Sequence, residues 1–127
     1  MKQRDWLYWL LALIAAATVL TGATQMFAPA FVLHFLDADV TRTSAHFFAI
    51  VGMFMVLFGG ATLNALFSAR PSPVVIFWSA LQKFGASGAV ALGVTRGVFS
   101  QLAYAVAVID FLSGVLAIWY WLRIRRQ

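Results

Sequence analysis

Four stretches of this chain run for twenty residues or more with almost no charge, and this feature decides what the chain can fold into. They cover about residues 6–27, 44–67, 74–94 and 98–122. A helix rises about 1.5 Å per residue, so about 20 apolar residues cross the roughly 30 Å hydrocarbon core of a bilayer. Each stretch is long enough. Membrane-spanning strands would alternate apolar and polar residues around a closed barrel, and none of these stretches alternates. Of the 127 residues, 63% are hydrophobic and 10% charged, where soluble domains carry about 25% charged residues. A soluble fold of this size leaves much of its surface in water and could not hide that apolar load. The expected architecture is all-α, an integral membrane four-helix bundle forming a single transmembrane domain over residues 1–127.

The breaks between stretches carry their own signals. Pro29 ends the first. Pro29–Leu36 is too short to cross and leads into Asp37 and Asp39, so it reads as a short interfacial segment between helices 1 and 2. Ser72 can cap the third span, with Pro73 at its first helical position. Thr95-Arg96-Gly97 separates the third span from the fourth.

Charge sets the orientation. Lys and Arg together number 9 and Asp and Glu 4, a net charge of +5. Lys2 and Arg4 precede the first span, Arg70 sits between the second and third, and Arg123, Arg125 and Arg126 follow the fourth. The opposite side holds Asp37, Asp39, Arg42 and Arg96. Basic residues gather on the cytoplasmic side, so both termini are expected there. Placed at span flanks, these residues suit the lipid bilayer and its anionic headgroups, and no nucleic acid partner is expected. Trp6, Tyr8 and Trp9, with Trp119, Tyr120 and Trp121, read as aromatic belts on that same side. Met1-Lys2-Gln3-Arg4 before an apolar run also has the outline of a cleavable signal peptide. Against that stand the length of the run and the presence of Asp5, and cleavage would leave three spans.

Lys83 and Asp110 are the residues most in need of explanation. Lys83 lies roughly 14 Å into its helix at about 1.5 Å per residue, and Asp110 is about midway along the antiparallel neighbour. A lone charge at that depth costs at least about 2.5–3.5 kcal/mol, so two opposite charges at one level invite pairing. Ser79, Ala80, Ala86 and Ser87 flank Lys83 at helical spacing, and Ala103, Ala107, Ser113, Gly114 and Ala117 flank Asp110. Small residues favour helix contact in lipid, which turns both charges inward. The buried charge pair is either structural, fixing helix register, or a site for protons, ions or a polar headgroup.

Other polar residues widen the candidate site. Thr18, Thr21, Gly22 and Gln25 share a face of the first span, and His46, Met53, Gly60 and Asn64 form a stripe on the second. With Gln82, the residues Gln25, His46 and Asn64 define an expected polar cavity, unless they serve only to bond helix to helix. A metal site usually needs about three or four ligands, and only Asp37 and Asp39 could join His34 and His46. Two histidines could hold a haem, but one lies in the interfacial segment and the other begins a span, so interfacial histidines satisfied by water and backbone are the expectation. Gly85, Ala89, Gly93 and Gly97 recur at every fourth position, nearly opposite Lys83, and read as a helix-packing stripe for a membrane protein partner or homodimer. There is no cysteine, phosphate loop or nucleophile elbow. No catalytic residue, metal or cofactor is assigned.

The layout of four spans, glycines in the second helix (Gly52, Gly59, Gly60), an intramembrane Lys83 and Asp110 in the last helix resembles small bacterial membrane proteins of the DoxX-like type. The resemblance spans nearly the whole chain and rests on layout rather than on a signature motif. It implies a bacterial inner membrane and an accessory or quinone-adjacent role. Small multidrug exporters differ, since they depend on an embedded acidic residue in the first helix, and here none follows Asp5. The leading expectation is a non-enzymatic membrane protein binding a partner membrane protein or a lipid-like or quinone-like molecule. The alternatives are a small proton- or ion-coupled transporter or channel built on Lys83 and Asp110, and an intramembrane enzyme using Asp110 or His46 on a lipid-like substrate.

Overall fold

A computed structural model describes residues 4–126. It contains α1 (Trp6–Phe27), α2 (Pro29–Phe35), α3 (Arg42–Phe67), α4 (Pro73–Thr95) and α5 (Leu102–Ile124). Lys2 of the basic flank and the Met1–Gln3 part of the signal-like segment lie outside the described residues. The four long helices have 22, 26, 23 and 23 residues and are apolar enough to cross a membrane. They run up and down in sequence, with the start of α1 and the end of α5 at one end of the bundle and α2 at the other. The fold is the expected membrane four-helix bundle.

Local chemistry sets where each helix begins. Asp5 accepts a hydrogen bond from the Tyr8 N–H at 3.3 Å and caps α1. Ser72 accepts from the Val75 N–H at 3.5 Å, and Pro73 occupies the first turn of α4. Thr41 and Ser44 exchange side-chain and backbone bonds of 2.9 Å, a capping box that starts α3 at Arg42, two positions before Ser44.

Two helices stop in the same way, and here the expected boundaries need correcting. Gly97 has φ +73°. Its N–H reaches the Val94 carbonyl at 3.1 Å, while the Val98 N–H reaches Gly93 at 2.8 Å. This is a Schellman ending, which needs a left-handed residue just past the helix. Val98–Gln101 are spent on the turn, so α5 starts at Leu102 rather than Val98. Gly97 therefore lies off the helix and does not continue the stripe of Gly85, Ala89 and Gly93. Asp37, at φ 58°, ends α2 likewise, with bonds from Asp37 to His34 at 3.0 Å and from Ala38 to Leu33 at 2.9 Å. The Ser100 N–H then donates to the Leu36 carbonyl at 2.9 Å, tying the two turns together.

The bundle is built from two helix pairs. α1 packs along α3, and α4 along α5; contacts between the pairs are far fewer. Glycines bring the backbones together. A Cβ on Gly22 would lie 2.7 Å from the Gly52 carbonyl oxygen, and one on Gly59 would lie 2.9 Å from that of Ala15. On the other pair the Phe84 ring covers Gly114, 2.9 Å from where a Cβ would sit. In lipid, such fit replaces the hydrophobic effect as the force that holds helices together.

The pairs join at the terminal end. Leu7, Tyr8 and Leu11 of α1 pack with Leu66, Ile76, Ala80, Tyr120 and Ile124 in one core. The Tyr8 hydroxyl donates to the Leu66 carbonyl at 2.6 Å. Tyr8 and Tyr120 are completely buried, so they belong to this core rather than to an aromatic belt. Trp6 and Trp119 do lie outside, edge to face with ring centroids 5.5 Å apart. Beside them Arg123 bonds Asp5 at 3.0 Å, and that hydrogen bond holds the Asp5 carboxyl below the usual carboxylate range.

Replacing Gly22 by Ala should force the α1 and α3 backbones apart, with a loss of about 1–3 kcal/mol as in other overpacked contacts. Gly85→Ala meets nothing within 4 Å and should leave stability unchanged or slightly raised. Unfolding of both variants by SDS titration checks this; equal stability of the two would contradict the backbone contact.

Candidate functional site

Away from the terminal core the two pairs separate, and a cavity of about 330 Å³ lies between them. All five helices line it. α1 contributes Thr21 and Gln25, α3 contributes Phe48, Val51 and Met55, and α2 closes over it with Val32, Phe35 and Leu36. Ala86, Ala89 and Val90 of α4, with Ala103 and Val106 of α5, form the opposite wall, with Phe99 at the turn. The wall is almost wholly hydrocarbon. Its polar groups are few: Lys83, Asp110 and Gln82 gather where the pairs meet, with Thr21 and Gln25 further toward α2.

Lys83 and Asp110 form that polar floor. Lys83 Nζ stands 3.7 Å from Asp110 Oδ1, and the side chains keep 15% and 17% of their exposure. This is an ion pair at a length beyond a hydrogen bond. Lys83 is instead hydrogen-bonded to Thr18, Nζ donating to Oγ1 at 2.6 Å, while the Thr18 hydroxyl donates to the Ile14 carbonyl at 2.9 Å. A single ammonium thus links α4 to α1 and faces α5. The small residues that flank it allow the approach: Ser79 and Ala80 are buried, as are Ala103, Ala107, Ser113 and Gly114 along the stripe of Asp110.

Gln25 and Gln82 also border the cavity. Gln25 is buried and its amide donates to the Phe48 carbonyl at 3.1 Å, which orients its oxygen by elimination. Beneath the pair a void of about 30 Å³ runs among Thr18, Thr62, Ser79 and Ser113, room for a water molecule. The Thr62 and Ser79 hydroxyls are 2.6 Å apart across α3 and α4, and Ser87 donates to the Ala107 carbonyl at 2.7 Å. The first of these bonds joins the two pairs below the cavity, and the second ties α4 to α5 beside it.

Two expected members of the site are elsewhere. His46 is exposed in the first turns of α3, edge-on to Phe47 and beside Arg42 and Thr43. Asn64 is exposed near the opposite end of the same helix. Their whole stripe points outward, with Met53 exposed and Gly60 meeting nothing within 4 Å, because Gly52 and Gly59 turn the other face of α3 to α1. Proton transfer by His46 at the Asp110 site has no geometric basis. His34 is exposed on α2, and among the described residues no three His, Asp or Glu side chains cluster as metal ligands would. The stripe on α4 does not form one helix-packing face: Gly85 is exposed with nothing near it, Ala89 borders the cavity, and Gly93 packs on the Phe99 ring.

The chain matches no family model, no curated protein and no solved structure. The geometry of the cavity is therefore the ground for a functional reading. Its apolar lining residues carry no signal in sequence, since Phe48, Val51 or Val106 would suit a lipid-facing position equally well.

Lys83→Met alone leaves the Asp110 carboxylate without its counter-charge, and Asp110→Leu alone strands the ammonium. Each should destabilise the bundle by about 3 kcal/mol, the low end for breaking a buried pair, because both groups keep some exposure. The double variant should recover most of that loss in the same unfolding measurement. Additive losses would mean that the two charges do not interact.

Proposed function

We propose that this chain is a non-enzymatic integral membrane protein that binds a lipid-like small molecule between its two helix pairs and acts as an accessory subunit. The carrying observation is the cavity: hydrocarbon walls from all five helices around a floor of Lys83, Asp110 and Gln82. Ligand sites are commonly concave, mostly apolar, and furnished with a few converging polar groups, and they often lie between the helices of a bundle. The exposed face of α4 at Gly85 and Gly88, where a Cβ would meet nothing within 4 Å, leaves room for a partner membrane protein, as an accessory role requires. The DoxX-like layout favours the same role and a bacterial inner membrane.

The proposed orientation has both termini in the cytoplasm. Arg4, Arg70, Arg123, Arg125 and Arg126 lie at one end of the bundle, against Arg42 and Arg96 with Asp37 and Asp39 at the other. Because the chain has no cysteine, single-cysteine variants report sidedness on a clean background. A membrane-impermeant maleimide on intact cells should label Gln101→Cys and leave Arg126→Cys untouched until the cells are permeabilised. The reverse pattern would invert the topology.

The binding itself is tested by native mass spectrometry of protein extracted gently from its own membrane. The wild type should carry a small apolar molecule. Ala86→Phe, which fills the cavity from α4, should lose that molecule and keep its helical circular dichroism. A wild type that carries nothing, or an Ala86→Phe variant that retains the same molecule, would count against the cavity.

A further inference from the structure

Resting on that cavity, we infer the class of its ligand: a neutral amphiphile with one hydrocarbon tail, its hydroxyl head seated between Lys83 and Asp110. The pair itself supplies the first ground. At 3.7 Å the ammonium and carboxylate are too far apart to be hydrogen-bonded to each other. Lys83 uses one N–H on Thr18. Asp110 accepts no hydrogen bond from any protein group among the described residues. Its neighbours Ala103, Ala107 and Gly114 have no polar side chain to offer, and the Ser113 hydroxyl donates to the Ile109 carbonyl at 2.8 Å. The floor therefore presents a free donor beside a free acceptor. A hydroxyl is the smallest group that accepts from one and donates to the other with the same oxygen.

Charge supplies the second ground. Lys83 and Asp110 cancel, so the floor has no net charge with which to stabilise an ionic head. An anion drawn to Lys83 would sit against the Asp110 carboxylate, and a cation drawn to Asp110 against the ammonium. Either would first have to leave water and pass Phe35, Phe48 and Phe99, which a neutral hydroxyl does at far smaller cost.

Size and polarity complete the case. At about 330 Å³ the space lies near the lower end of the roughly 300–1,000 Å³ typical of ligand pockets, too little for two acyl chains. The polar floor is deep in the bundle, and the wall that extends from it toward α2 is hydrocarbon apart from Thr21 and Gln25, whose amide is held by the Phe48 carbonyl. A bilayer phospholipid has the opposite layout, with its head at the surface and its tails at the midplane. The fitting molecule is one whose small head is content near the midplane, and a long-chain alcohol meets that description.

Dodecan-1-ol, dodecane and dodecanoate, each added to the full chain in nanodiscs and followed by native mass spectrometry, separate the cases. The alcohol should bind at least tenfold more tightly than the other two. In the folded Lys83→Met, Asp110→Leu double variant its advantage over dodecane should vanish. Equal binding of dodecane and alcohol by the wild type would overturn the head-group assignment, and tighter binding of dodecanoate would overturn its neutrality. In both cases loss of binding in Ala86→Phe would leave the cavity itself standing. If none of the three probes binds, the ligand class and the cavity reading fall together. The comparison of probes is made on the wild type and holds whether or not the double variant folds.

Discussion

Gly22 and Gly52 meet backbone to backbone, and the remaining architecture is organised around that contact and its counterpart where Phe84 covers Gly114. In lipid there is no gain from merely hiding apolar surface against apolar surface, so the closest-fitting faces dominate association. Those faces pair α1 with α3 and α4 with α5. Between the pairs, Tyr8, Leu66, Ile76 and Tyr120 fill the space at the terminal end, while toward the far end the α4–α5 pair presents the small Ala86, Ala89 and Ala103 to the α1–α3 pair. Two slabs joined by bulk at one end, with alanines on the facing side of one of them at the other, leave a gap. The cavity follows from packing, and α2 lies across it as a consequence of where the chain turns.

Much of this fold was legible because charge is scarce. With so few charged residues, each one is conspicuous, and the pairing of Lys83 with Asp110 followed from depth and spacing alone. The Ser72-Pro73 start of α4 was equally readable, since capping and proline placement are local backbone chemistry. Facing was not. A helix in lipid can be apolar all round, so the usual contrast between a wet face and a dry one is lost. His46 and Asn64 share a helical stripe, and only the fit of Gly52 and Gly59 against α1 reveals that the stripe points away. Tyr8 and Tyr120 misled for a related reason: an aromatic ring near a span end suits a headgroup belt or a core equally well until its neighbours are known. The glycine repeat of α4 failed at Gly97 because the helix had already ended, and periodicity carries no information about a residue's φ.

The link from Lys83 to Thr18 bears on how a pair of charges can persist in this place. An ammonium that faced only Asp110 at 3.7 Å would lack any hydrogen bond, and buried charge is tolerated when it is both paired and hydrogen-bonded. Thr18 provides that bond from the other helix pair, and its own hydroxyl hydrogen is spent on the Ile14 carbonyl, which fixes its lone pairs toward the ammonium. The arrangement holds Lys83 to one side and leaves the carboxylate of Asp110 exposed to the cavity. A purely structural ion pair would gain by closing to direct hydrogen-bond distance, as such pairs are shorter when geometry allows. Here Thr18 pulls the ammonium the other way, so the same contact that stabilises the bundle keeps a donor and an acceptor apart, both facing an apolar space.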